Sequence, residues 1–62
     1  MRAYRSYRFH FMGHDGHVAN SFEANCTGDE QACSRAIQAF KAQDRDHSIE
    51  VWDRARMVFR YP

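Results

Sequence analysis

Proline is nearly missing from this chain, Pro62 being the only one, and no low-complexity tract or internal repeat occurs among the 62 residues. Such a composition excludes the solvated, proline-rich kind of disorder. No apolar run is long enough to span a membrane, and Met1 is followed by arginine and aromatic residues, not by the apolar stretch of a signal peptide. The expectation is a soluble, cytoplasmic protein without a membrane role. Two cysteines, Cys26 and Cys33, are too few for a disulfide framework. Also missing are a nucleophile elbow, a phosphate-binding glycine loop, a paired acid dyad and an HExxH pair, so no catalytic residues and no cofactor are expected.

What is present is the composition of a small folded domain, with 44% apolar and 15% aromatic residues. Residues 1–62 form one domain. A chain of this size buries only about 60% of the surface it exposes when unfolded, and its core rarely supplies more than roughly 3–5 kcal/mol without a disulfide, a metal or a second subunit. The formal charge of +1 conceals a segregation. Arg2, Arg5, Arg8, Arg54, Arg56 and Arg60 make the two ends basic, whereas residues 15–53 hold all eight acids against Arg35, Lys41 and Arg45. Such an asymmetry suits internal pairing, a polyanion or a complementary protein surface.

Residues 27–43, TGDEQACSRAIQAFKAQ, are the one stretch with a helical period. Thr27 and Glu30 have the spacing of a capping box, and Asp29 and Glu30 put negative charge at the positive end of the helix dipole. Cys33, Ala36, Ile37 and Phe40 then fall on one face. Upstream, Tyr7, Phe9 and Phe11 alternate with Ser6, Arg8, His10 and Met12, the pattern of a half-buried strand. Asp15-Gly16 predicts a two-residue type I′ turn into a second strand over residues 17–26. With that loop, Phe9 faces Phe22, Arg8 faces Glu23, Met12 faces Ala19 and His14 faces His17. A slip of one residue would oppose apolar to polar side chains along the ladder.

Residues 44–47 read as a loop, and Ile49 and Val51 mark a third strand. A type I turn at Asp53-Arg54-Ala55-Arg56 leads to a fourth over residues 57–61. Val51 should face Val58, and Glu50 should face Phe59. The fold class is α+β: ββαββ, a four-stranded antiparallel sheet in the order 2-1-3-4 with one helix on one face. The expected core is Tyr7, Phe9, Phe11, Val18, Phe22, Ala24, Ala36, Ile37, Phe40, Ile49, Val51 and Val58.

The other face is the candidate site. Counting places Trp52, Met57, Phe59 and Tyr61 there, beside Arg8 and His10, with Glu23 and Glu50 as the acids. Aromatic and methionine side chains rimmed by arginine have the composition of a binding hot spot, and monomers rarely leave large apolar patches open. The reading with the fewest assumptions is a binding protein that forms a homodimer through this face. The alternative is a sheet that stacks single-stranded RNA or DNA on its aromatics. A dimer joined along the edge of the short fourth strand is also open. His14 and His17, facing each other, could share a metal, but His10 lies about 13 Å from His14 along the strand, and no further ligand is placed by the sequence, so no metal is expected. Both cysteines point to the helix side, where they read as small buried hydrophobes.

The opening YRFHFMGHDGH, the acidic CTGDEQA stretch and the closing IEVWDRARMVFRYP resemble short uncharacterised proteins common in alphaproteobacteria. The resemblance covers nearly the whole chain. It implies a ββαββ fold and transfers no functional residues, because its patterns are structural and the group has no assigned activity.

Overall fold

The computed structural model describes residues 3–43 and 46–62. Strand β1 spans Arg5–Met12, β2 Val18–Cys26, helix α1 Asp29–Ala42, β3 Ser48–Asp53 and β4 Arg56–Tyr61. The four strands form one antiparallel sheet in the order β2-β1-β3-β4, as the sequence predicts. Of the loop expected at residues 44–47, Asp44 and Arg45 lie outside the described residues.

The first hairpin keeps its predicted register through its body. Tyr7 pairs with Ala24, Arg8 with Glu23, Phe9 with Phe22 and Phe11 with Asn20. The Phe9 and Phe22 rings are stacked at 4.6 Å and 2°, an arrangement worth about 0.5–1.5 kcal/mol beyond area burial. Its tip differs from the expectation. The Gly13 N–H donates to the His17 carbonyl at 2.9 Å and the Gly16 N–H to the Gly13 carbonyl at 3.1 Å, so His14, Asp15 and Gly16 form a three-residue loop. Gly16 alone takes the left-handed conformation, at φ 84°, as in hairpins that follow a type I turn with one αL residue. Asp15 stabilises this form because its Oδ1 accepts the His17 N–H at 3.0 Å. A bulge at Ala19 absorbs the additional loop residue, because Met12 pairs with Val18 and Phe11 with Asn20. Three expectations are thereby corrected. His17 faces Gly13 instead of His14, Met12 faces Val18 instead of Ala19, and Val18 moves out of the predicted core to 51% exposure.

Helix α1 starts one residue later than the capping box would place it. Gly28 is the N-cap and makes no side-chain cap bond. Gln31, at the third helical position, takes the part assigned to Glu30: its Oε1 accepts the Thr27 backbone N–H at 2.7 Å. The helix contributes only Ala32 and Ala36 to the fully buried core, and these small side chains let its backbone lie close over the sheet. Cys33, Ile37 and Phe40 are half-buried along its flanks. Its contacts are chiefly with β3 and β4, which leaves the inner side of β2 thinly covered.

The second hairpin contains the main departure from the predicted register. Asp53 pairs with Arg56 and Trp52 with Met57, but Val51 pairs with Phe59, Glu50 with Arg60 and Ile49 with Tyr61. Val58 is the extra residue of a bulge, and every residue after it changes face. Phe59 and Tyr61 therefore lie on the helix side and not on the open face. They stack on each other at 6.4 Å, and Tyr61 meets Phe40 edge to face at 5.6 Å. The turn is corrected too, since Arg54 sits at φ 60°, the left-handed first position of a type II′ loop rather than of a type I turn. The completed core is Tyr7, Phe9, Phe11, Cys26, Ala32, Ala36, Ile49 and Val51, with Phe22, Ala24, Phe40, Val58, Phe59 and Tyr61 packed around it.

A side chain in the left-handed region is strained by about 1–2 kcal/mol. Arg54→Gly should relieve much of that strain, giving about 1 kcal/mol of stability and a rise in Tm of roughly 4–8 °C for a domain of this size. Calorimetry of the two proteins checks it. Ala36→Leu should do the reverse, losing about 1–3 kcal/mol by forcing α1 off the sheet, as read by urea denaturation.

Candidate binding face

The face opposite α1 is built from alternate residues of all four strands. Across its upper row the paired positions run Glu23, Arg8, Trp52 and Met57, and across the next Ser21, His10, Glu50 and Arg60. The sequence-derived site thus divides in two. Arg8, His10, Trp52 and Met57 are brought together on this face, whereas Phe59 and Tyr61 are withdrawn to the helix.

Around Arg8 and Trp52 the sheet forms a broad, open concavity of about 850 Å³, lined by Tyr4, Arg5, Arg8, His10, Trp52 and Arg54 together with Ser6, Glu23 and Asp53. The indole is held from one side, its Nε1–H donating to Glu50 Oε1 at 3.1 Å. Arg8 reaches Glu23 at 3.6 Å, with both side chains more than half exposed. An ion pair so open to water contributes about 0–1 kcal/mol, so Arg8 is readily available to another anion. In the next row His10, between Ser21 and Glu50, has its Nδ1 buried and without a hydrogen-bond partner. Tyr4, Arg5 and Arg54 were not singled out from the sequence. They stand just before β1, at its first residue and in the β3–β4 turn, where alternation gives no signal, and the basic character of the two chain ends points only to the two arginines.

A second polar group ties the sheet to the start of the helix. The buried Tyr7 hydroxyl donates to Asp29 Oδ1 at 2.7 Å. Arg56 donates to both Asp29 oxygens at 3.2 and 3.1 Å and to Asp53 Oδ2 at 3.1 Å. Arg5 closes the chain on Asp53 at 2.9 Å. Burial, then the neighbouring Asp29, pushes the Tyr7 phenol from 10.0 up to about 12. The Arg56 hydrogen bonds, then that of Tyr7, hold the Asp29 carboxyl below its ordinary value. Burial, with Asp29 and Glu30 nearby, raises the Cys33 thiol and disfavours its thiolate. Cys26 and Cys33 are both free, Cys26 within the core.

The remaining histidines gather at the far end of the first hairpin. His14 meets His47 edge to face at 5.3 Å, and His17 Nδ1 lies 3.4 Å from Asp15. No group of three metal-ligating side chains forms among the described residues, nor is any helix there long and apolar enough to cross a membrane.

Tyr7→Phe removes the phenol that Asp29 accepts and should cost about 1 kcal/mol. It should also change the alkaline limit of stability. The folded protein holds the Tyr7 proton more tightly than the unfolded chain does, so that contribution is complete below pH 10 and is lost between pH 10 and about 12. Urea denaturation from pH 9 to 12 should show a steeper loss for the wild type than for the variant. Comparison with known proteins gives no matching family model, no similar curated protein and no similar solved structure.

Proposed function

We propose that this protein is a non-catalytic binding module that holds a single-stranded nucleic acid against the open face of its sheet. The observation that carries the reading is the pairing of Arg8 with Trp52 at neighbouring positions inside the concavity, with Arg5 and Arg54 at its margin. An aromatic face accepts any base by stacking, and guanidinium groups beside it meet the phosphates. Of the two carboxylates facing outward near Trp52, Glu23 lies against Arg8, and Glu50, which accepts the indole N–H and keeps its negative charge, is opposite Arg60 in the ladder. A second copy stacked on the same face has less to support it: with Phe59 and Tyr61 turned to the helix, the large side chains left there, Tyr4, Met12, Val18, Trp52 and Met57, are interleaved with Arg8, His10, Glu23, Glu50 and Arg60.

Trp52 is the only tryptophan, so its emission reports on this face alone. Titration with a short single-stranded RNA should quench it. About three arginine contacts correspond to a slope near −2 in log affinity against log salt. Trp52→Ala should weaken association by about 1–3 kcal/mol, measured by fluorescence anisotropy of labelled RNA, and Arg8→Glu should abolish it. Absence of quenching, or quenching indifferent to salt, would reject the proposal.

A further inference from the structure

Among the described residues the outer edge of β2 has no strand, helix or loop hydrogen-bonded to it; one of its backbone donors, the Ser21 N–H, is held by the neighbouring Asn20 Oδ1 at 2.9 Å and would exchange that acceptor for one of a paired strand. Free edges expose a row of backbone donors and acceptors, and sheet proteins blunt them with short strands, bulges, proline or inward-turned basic residues. The opposite outer strand follows that rule. β4 has six residues, a bulge at Val58, Arg56 and Arg60 along it and Pro62 directly after it. β2 does not. It has nine residues, contains no proline, lysine or arginine, and bears one charged side chain, Glu23. Its bulge sits at Ala19, near the start, so residues 20–26 pair regularly with β1.

We infer that this edge is the seam of a homodimer, in which two copies pair antiparallel through β2 about a two-fold axis at Phe22 and join their sheets into one of eight strands. The register follows from counting. Residues opposed in an antiparallel ladder must share a face, so the axis passes through a residue and not between two. An axis at Glu23 would oppose two carboxylates. One at Ser21 would set Glu23 against the bulged Ala19, and one at Ala24 would leave residues 18–21 without partners. At Phe22, the midpoint of the strand, residues 20–24 pair regularly with their symmetry mates, and Glu23 of each copy lies opposite Ser21 of the other. Phe22 is half-buried on the side where α1 covers β2 least, so its ring and that of the second copy would shield each other. The seam leaves Arg8 and Trp52 open and is independent of what binds there.

Sedimentation velocity without nucleic acid tests the seam. The wild type should sediment at twice the chain mass. Ser21 is exposed, so its replacement leaves the monomer fold intact, as circular dichroism will verify. Ser21→Glu sets like charges opposite each other at two symmetric positions and should weaken the dimer roughly fivefold; Ser21→Lys sets opposite charges there and should tighten it by a similar factor. A wild type that remains monomeric at millimolar concentration overturns the inference. So does a dimer whose dissociation constant ignores both substitutions.

Discussion

Val58 decides which side of the sheet is greasy. It is the residue that the β3–β4 ladder does not count, and because of it Phe59 and Tyr61 point under α1 while Arg60 points out beside Glu50. The helix needs those rings. It gives the core only two alanines, whose small side chains allow close approach but bury little apolar area. The volume above β3 and β4 is filled by Phe40, Tyr61 and Phe59 in edge and stacked contact. The same bulge that completes the core therefore takes two aromatic rings off the reverse face and puts Arg60 there.

Alanine packing alone does not fix where the helix begins. That is set by the chain of polar contacts from Tyr7 through Asp29, Arg56 and Asp53 to Arg5. Each end of it lies on β1, and the middle crosses to the first turn of α1 and to the β3–β4 hairpin. Its exposed ion pairs are individually weak, but the Tyr7 hydroxyl lies in the core, where an unanswered donor would be costly. Asp29 serves as its acceptor and at the same time places negative charge at the positive end of the helix.

The sequence showed the strand order, the helix and the body of the first hairpin because these rest on side chains that agree with one another: Phe9 with Phe22, Arg8 with Glu23, Ile49 with Val51. It did not show the two bulges. Neither Ala19 nor Val58 carries a conformational signal of the kind glycine gives, and strict alternation is the only rule available until a ladder is seen to break it. The Asp15-Gly16 tip was recognised as a turn, but the choice between two and three loop residues depended on the Asp15 carboxylate reaching the His17 N–H. Similarly, Thr27, Gly28 and Gln31 together admit two cap registers one residue apart. For the site, Arg8, His10, Trp52 and Met57 precede the Val58 bulge in the ladder or lie on other strands, so parity placed them correctly. Phe59 and Tyr61 follow it, and parity failed.

The bond between the Trp52 indole and Glu50 has an effect on thermodynamics as well as on placement. A ring already immobilised in the free protein loses little rotational freedom when something lies on it, so that part of the association penalty falls at folding. The arginines around it differ. Arg5 and Arg8 are more than half exposed, and Arg8 is held only by a 3.6 Å contact with Glu23. Contact with the rigid ring would therefore be tolerant of what is stacked, whereas ordering the guanidinium groups would dominate the unfavourable entropy of complex formation.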